Sequence, residues 1–198
     1  MAPSFCIELT AVEQRRLLAI ARSSMRAGPA DRGDAGPLVA GLTPALQEQR
    51  AVFVTLTRSA RLRGCIGTLE PIAPLAIAVA DSANSAAYRD PRFPPMRPDE
   101  LERTTIEISV LTPIRPLAAV SREVLLERLR PGVDGLVLQD GRHRSTFLPK
   151  VWEQLPDPQE FLAQLLAKAG LPADHWSPTL QLHRYGALTF GDDGCLQA

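Results

Sequence analysis

The chain has 198 residues, of which 45% are hydrophobic and 22% charged, and its 22 basic side chains balance its 22 acidic ones. A chain of this length can bury a substantial core as one large domain or two small ones. The balanced charge argues against a nucleic-acid partner, and no apolar stretch approaches the ~20 residues that a membrane-spanning helix needs. Three cysteines without a short spacing argue against a disulfide framework, and no signal-peptide pattern is present. We therefore expect a cytoplasmic protein.

The first half of the chain predicts a helix, a β-hairpin, a second helix and a strand. Thr10 and Glu13 have the spacing of a capping box at the start of the first helix. The stretch 27–50, rich in Gly, Pro and Asp, predicts a long surface loop, and the prolines within 90–95 predict a stiff, extended one. The regular elements are expected at 11–26 (helix), 52–57 and 62–69 (hairpin), 75–88 (helix) and 104–112 (strand).

The second half predicts the same order of elements. A helix is expected from Ser121 to about 129, and Asp140-Gly141 predicts a hairpin with a type I′ turn. A helix over 157–170 and a final strand over 179–190 follow. Hairpins separated by helices are typical of an α+β fold, with an antiparallel or mixed sheet and helices packed on it. We interpret the repeated helix–hairpin–helix–strand order as an internal duplication within a single domain, 1–198, with possible lobes at 10–115 and 120–190.

The return strand of the first hairpin contains the segment Leu62–Gly67, in which two glycines flank Cys65. Glycine weakens a strand, so its presence indicates that something approaches the backbone closely. Side-chain alternation predicts that Arg63, Cys65 and Gly67 share one face, where an arginine would favour the thiolate and the missing side chain would leave room for a ligand. The alternative is a structural bulge around a small, buried cysteine.

Two further groups could complete a site around Cys65. Glu107 lies in mid-strand on the face opposite three predicted core residues, and could accept a proton from the thiol; it could equally be a solvated residue or the partner of an arginine. Asp90 and Arg92 lie in the proline-rich loop, either as ligand-binding side chains or as contacts that stiffen a connector. If the hairpin and this loop were neighbours, five arginines could form an anion pocket: Arg61, Arg63, Arg89, Arg92 and Arg97. The alternative is that these arginines are spread over the surface by chance.

The motifs of several well-known enzyme classes are missing. Gly64-Cys65-Ile66-Gly67 lacks the spacing and the strand-to-helix context of a dinucleotide-binding loop, and no Gly-x-Ser-x-Gly elbow occurs. The three histidines lack ligand spacing, so we expect no metal site, and no cofactor can be assigned. Trp152 is expected to anchor the core, and Tyr185 to pack.

Five blocks of sequence occur in an order and spacing that together resemble a known family. They are Leu62–Leu69, Asp90–Phe93, Ile106–Pro113, Gly132–Leu136, and Thr146–Pro149 followed by Val151–Glu153. Over about residues 10–190 the chain resembles the AMMECR domain family, and within it most closely the bacterial AmmeMemoRadiSam system protein A branch.

The resemblance implies an α+β fold of two repeated units around an antiparallel sheet, and association with a Memo-like protein and a radical SAM protein. It does not supply a reaction, and the Cys-x-x-x-Cys-x-x-Cys pattern of the radical SAM partner is absent. We expect an enzyme, or an enzyme component, with a cleft around Leu62–Gly67; the alternative is a non-catalytic binding module for the same partners. The candidate catalytic residues are Cys65 and Glu107, and the candidate substrate-binding residues are Arg63, Gly64, Gly67, Asp90 and Arg92.

Overall fold

The computed structural model describes residues 7–29 and 41–192. The helices are α1 (Ala11–Arg26), α2 (Pro44–Gln47), α3 (Leu75–Tyr88), α4 (Pro98–Leu101), α5 (Arg122–Arg128) and α6 (Pro158–Lys168), with a 3₁₀ helix at Pro149–Glu153. The strands are β1 (Val52–Arg58), β2 (Arg61–Thr68), β3 (Thr105–Leu111), β4 (Arg115–Pro116), β5 (Gly135–Asp140), β6 (His143–Phe147), β7 (Gln181–Tyr185) and β8 (Ala187–Gly191). The predicted α+β class is confirmed.

The described residues divide into two compact units, each with its own four-stranded sheet. The first unit comprises 7–29, 41–111 and 188–192, and the second comprises 112–187. In both units a hairpin is followed by a helix and a third strand, as the sequence predicts. The internal duplication and the single-domain organisation stay predictions.

The first unit has the sheet order β2–β1–β3–β8, which leaves β2 at an edge. Helices α1 and α3 pack against each other, and α3 also packs on β1 and β2. Alternate residues of β1 enter the core of this unit, and the intervening ones are half-buried on the other face. Its centre is formed by fully buried side chains of the helices and strands, among them Leu17, Val54, Val79, Ile106 and Ile108.

The hairpin of β1 and β2 contains an irregularity that reverses which residues face the core. The two-residue turn has positive φ at both Ser59 (50°) and Ala60 (60°), which is the pattern of a type I′ turn made without glycine. Beyond it the register shifts by one residue: Thr57 pairs with Leu62 but Leu56 pairs with Gly64. Arg63 is therefore the extra residue of a β-bulge.

Gly64 is required by the close approach of helix α3. The residue is buried and lies on the core face of β2, opposite Leu56. A β-carbon at this position would collide with the carbonyl oxygen of Ala86 in α3. The alanine- and serine-rich sequence of α3 permits the same close approach, because small side chains let the helix lie close to the strand.

The second unit has the sheet order β4–β7–β5–β6 with a separate apolar core. Trp152 stacks on Phe161 of α6 at 3.8 Å between ring centroids, and its indole N–H donates to the carbonyl of Asp134 at 2.7 Å. Tyr185 is buried, and its hydroxyl lies 2.8 Å from that of Thr146. The predicted packing roles of Trp152 and Tyr185 are confirmed.

Three local predictions were wrong or incomplete. The expected strand over 179–190 is two strands in different sheets, because β7 ends at Tyr185 and β8 begins at Ala187. The turn between β5 and β6 has positive φ only at Gly141 (58°), which is the pattern of a type II′ turn rather than type I′. The predicted loop 27–50 contains the one-turn helix α2, and its part at 30–40 lies outside the described residues.

No helix of residues 7–29 and 41–192 is both long enough and apolar enough to cross a membrane.

We predict that Gly64→Ala lowers the free energy of unfolding by about 2 to 3 kcal/mol, because the new methyl group must displace the backbone of α3 or of β2. Denaturant unfolding followed by circular dichroism measures the change. Gly186→Ala is the matched control, since a β-carbon there would lie 3.4 Å from the nearest atom, in Thr112. Equal stability of the two variants would contradict the prediction.

Candidate functional site

A row of polar side chains crosses the sheet of the first unit on the face opposite its helices. Thr55 of β1 pairs with Cys65 of β2 on one side and with Glu107 of β3 on the other. The Thr55 hydroxyl lies 3.4 Å from the Cys65 sulfur, within hydrogen-bond distance. We call this face, carrying Thr55, Cys65, Gly67, Glu107 and Ser109, the polar face of the sheet.

Glu107 lies on the same face as Cys65 but not beside it. Strand β1 separates β2 from β3, so two strand spacings, about 10 Å, divide the backbones of Cys65 and Glu107. Cys65 and Glu107 are therefore not cross-strand neighbours, and Thr55 lies between them. A proton passing from the thiol to Glu107 would need the Thr55 hydroxyl or a bound molecule between them.

The backbone of Cys65 faces the open edge of β2, where an ion pair binds it. The Cys65 N–H donates to Oδ2 of Asp90 at 2.8 Å, and the Cys65 carbonyl accepts from Nη2 of Arg92 at 3.2 Å. Both backbone groups therefore point away from β1, which makes Thr55 and Cys65 a non-hydrogen-bonded pair with closely spaced side chains. Asp90 and Arg92 occupy the position that a neighbouring strand would take.

Asp90 is a buried carboxylate whose two oxygens are fully engaged. Its side chain is 2% exposed and accepts from Nε and Nη2 of Arg92 at 2.9 and 2.6 Å, and from the Arg92 N–H at 3.1 Å. The Arg92 guanidinium is the main cause that lowers the pKa of Asp90 to about 2, against burial, which raises it. Asp90 thereby fixes the position of Arg92.

Arg92 is the guanidinium bound to the backbone carbonyl of Cys65. Its pKa is raised mainly by the hydrogen bond to Asp90, and also by its charge interaction and hydrogen bond with Cys65, while burial acts in the opposite direction. About half of the side chain, 52%, is exposed to solvent. The predicted arginine next to Cys65 is therefore present, but it comes from the proline-rich loop rather than from β2.

Arg63, in contrast, is directed to a carboxylate away from Cys65. Because it is the extra residue of the bulge, the prediction that it shares a face with Cys65 and Gly67 was wrong for Arg63, while Cys65 and Gly67 do share the polar face. Its Nε and Nη2 donate to Glu100 of α4, both at 3.1 Å. Arg58 donates to the same carboxylate at 2.9 Å. These contacts, with Arg63 first among them, lower the pKa of Glu100 to about 2.

Packing accounts for both glycines of the Leu62–Gly67 segment. Gly64 lies against Ala86, as described above, and a β-carbon on Gly67 would collide with the Val52 carbonyl and lie 2.6 Å from the ring of Phe53. The backbone that approaches these glycines is that of α3 and β1.

The structure thus brings together Cys65, Asp90 and Arg92. Glu107 lies two strands away on the same polar face, and Arg63 and Gly64 are directed elsewhere. Four of the five arginines considered for an anion pocket are bound separately: Arg63 by Glu100, Arg92 by Asp90, Arg97 by Asp99 and Arg89 by Asn84. Neither Thr55 nor Glu100 was predicted as a residue of the site. The alternation of Thr55 with Val54 and Leu56 is a signal that could have placed it on the face away from the core, but only the bulge sets it opposite Cys65.

Within the described ranges, no group of three or more His, Cys, Asp or Glu side chains could hold a metal ion.

A sequence model of the AMMECR1 family matches residues 18–190. The chain belongs to the AMMECR1 family. It is 43% identical over 155 residues to a protein of Methanothermobacter thermautotrophicus, covering 77% of this chain and 81% of that one. It is 41% identical over 160 residues to protein MK0488 of Methanopyrus kandleri, covering 76% and 75%. The crystal structure of the uncharacterized protein PH0010 from Pyrococcus horikoshii has the same fold, with a TM-score of 0.83, 34% identity and 90% coverage of both chains.

These AMMECR1 relatives carry names that state no activity, so the function has to be argued from the site itself.

We predict that Asp90→Asn lowers the free energy of unfolding at pH 7 by about 2 kcal/mol, the equivalent of its pKa shift from 3.8 to about 2. A carboxylate with a lowered pKa stabilises the fold fully above about pH 4, and this contribution disappears as the pH falls towards 2. The variant should therefore lose less stability than the wild type between pH 4 and pH 2.

Urea unfolding at a series of pH values measures both effects. Asp99→Asn is the matched control, since it removes a carboxylate that is 63% exposed and paired with the exposed Arg97. If Asp90→Asn cost no more stability than Asp99→Asn, the Asp90–Arg92 pair would not anchor the edge of β2.

Proposed function

We propose that this chain is an enzyme, or an enzyme component, that uses the Cys65 thiol on a small substrate bearing a carboxylate or phosphate group. The observation that carries the proposal is the fixed guanidinium of Arg92 beside Cys65. A positioned guanidinium donates charge-assisted hydrogen bonds to carboxylates and phosphates. Asp90 and the Cys65 carbonyl use Nε and Nη2 of Arg92, and no described residue hydrogen-bonds its Nη1.

Each group of the polar face has a defined part in this proposal. The Cys65 sulfur adds to a carbonyl carbon of the substrate, the C=O π bond opens and leaves its electron pair on the oxygen, and Arg92 binds the substrate's anionic group next to it. The Thr55 hydroxyl orients the sulfur from 3.4 Å. Glu107 accepts the thiol proton through the Thr55 hydroxyl or a bound molecule, because Thr55 lies between Glu107 and Cys65.

We further propose that the protein belongs to the AmmeMemoRadiSam system protein A branch of its family and works in the cytoplasm with a Memo-like protein and a radical SAM protein. The order and spacing of the five sequence blocks support this assignment. In such a system the chain would be the component without the radical SAM cluster motif.

A second candidate function is a non-catalytic binding module for these same partners. Two observations favour it. The glycines of the Leu62–Gly67 segment are accounted for by packing against α3 and β1, so they need no ligand to explain them. Glu107, the candidate base, is separated from Cys65 by a whole strand.

We predict that Cys65 reacts preferentially with an anionic alkylating reagent, because Arg92 attracts the carboxylate of iodoacetate towards the sulfur. In a Cys6→Ser, Cys195→Ser background, the ratio of the iodoacetate rate to the iodoacetamide rate should be about three to ten times higher than in the same protein carrying Arg92→Gln. Peptide mass spectrometry measures the rates, with glutathione as a reference thiol.

Arg61→Gln is the matched control, since Arg61 is an exposed arginine at the start of the same strand. It should leave the ratio of rates unchanged. A thiol that reacts no faster than glutathione with either reagent would rule out a nucleophilic role for Cys65.

The two candidate functions differ in what Cys65→Ala does to a complex. The binding module predicts that a Memo-like or radical SAM protein from the same genome co-purifies with the wild type and with Cys65→Ala in equal yield. If the chain is instead an enzyme, Cys65→Ala should abolish turnover whether or not a complex forms. Co-expression followed by size-exclusion chromatography tests the module, and failure of both partners to co-purify would contradict it.

A further inference from the structure

The edge of β2 borders a second feature, two residues beyond Cys65, that the proposed function does not use. A cavity of about 170 Å³ lies between the end of β2, the following loop and helix α3. Gly67 forms part of its wall. Because the N–H and C=O of Cys65 point away from β1, those of Gly67, two residues further along the strand, point the same way. Backbone donor and acceptor groups therefore face the edge where the cavity opens.

One wall of the cavity consists of polar side chains from α3. They are Asp81, Ser82 and Ser85, which lie on one side of the helix at spacings of one and four residues. None of the three side chains makes a hydrogen bond or an ion pair with a residue of 7–29 or 41–192. Ser82 is only 7% exposed. Its hydroxyl belongs to a side chain that lines the cavity, so a ligand bound there can hydrogen-bond it.

The opposite wall is apolar. Ile72 and Ala73 of the loop line it, while Ala78 adds an apolar surface on the α3 side, and Ile72 is 70% exposed, which is unusual for so large an aliphatic side chain. A ligand with a short hydrocarbon group would cover Ile72. Cavities of about 150 Å³ hold a molecule the size of benzene, so the space suits a ligand of roughly five to seven non-hydrogen atoms.

The charge of the lining selects a cation. Asp81 is its only ionisable side chain, and the serine hydroxyls and the Gly67 carbonyl are all able to accept hydrogen bonds. An ammonium group has three donors and no acceptor, and it matches this set, whereas a carboxylate or phosphate would be repelled by Asp81.

We propose that this cavity is a binding site for a small primary ammonium ion with a short aliphatic chain. The ammonium group pairs with the Asp81 carboxylate and donates to the hydroxyl of Ser82 or Ser85, and the aliphatic chain packs against Ile72 and Ala78. From β2 the site takes only Ile66, Gly67 and Thr68, which follow Cys65, so it stands independently of the proposed thiol chemistry.

Isobutylammonium chloride is the probe, and two-dimensional NMR of the ¹⁵N-labelled chain is the measurement. We expect saturable shifts confined to the amides of Gly67, Asp81, Ser82 and Ser85 and their neighbours. Neutral isobutanol, which has the same shape, should bind at least tenfold more weakly. Asp81→Asn should weaken isobutylammonium binding at least tenfold and leave isobutanol binding unchanged.

Glu127→Gln is the matched control, since it removes an equal charge from an exposed helical position outside the cavity; it should bind the probe like the wild type. Ser85→Leu adds a large side chain to the cavity lining and should abolish the saturable shifts. The spectrum of this variant without ligand should remain that of the folded protein. Cys65→Ala should bind as the wild type does. Equal affinity for isobutylammonium and isobutanol, or shifts that grow linearly over the whole surface, would overturn the proposal.

Discussion

One extra residue in β2 decides where the chemistry of this protein can occur. Without the bulge at Arg63, the two-residue turn would set Thr55 opposite Gly64 and turn Cys65 towards the helices with Val54. With the bulge, Cys65 lies opposite Thr55 on the polar face, and Gly64 and Ile66 take the core side. A shift of one residue moves every side chain of a strand to the other face, so the exposure of Cys65 depends on this single insertion.

The bulge is held by a buried carboxylate. Glu100, on the single turn of α4, accepts two hydrogen bonds from Arg63, one from Arg58 and one from the Arg97 N–H. Taking charges out of water is costly, and such a cluster is stable only when several hydrogen bonds satisfy it. The role of Arg63 is therefore structural. Its ion pair with Glu100 fixes the register of the hairpin, and the register fixes the position of Cys65. The arginine of the Leu62–Gly67 segment determines the site without being next to the thiol.

The sequence predicted the elements of the fold far better than their register. Helix α3 was placed at its observed bounds, and the hairpin, the strand β3 and the N-caps Thr10 and Ser121 were recognised, because periodicity and capping chemistry are local. The bulge is not local: it depends on Glu100, more than thirty residues away, which a period-two pattern cannot reveal. The division of the last strand at Gly186 depends in the same way on which sheet each half joins.

The Asp90–Arg92 ion pair of the proline-rich loop has two effects: it covers the edge of β2, and it places a charge there. As an edge strand, β2 would expose the N–H and C=O of Cys65, and unpaired edges invite association with other chains. Asp90 and Arg92 cover these two groups, and in doing so they place a guanidinium at the backbone of Cys65. A lysine at position 92 could supply the charge, but it lacks the planar fork that binds Asp90 through two nitrogens while a third contact reaches the strand. Protection of the edge and placement of the charge therefore require the same side chain, which is why the site is built around Arg92 rather than around the arginine adjacent in sequence.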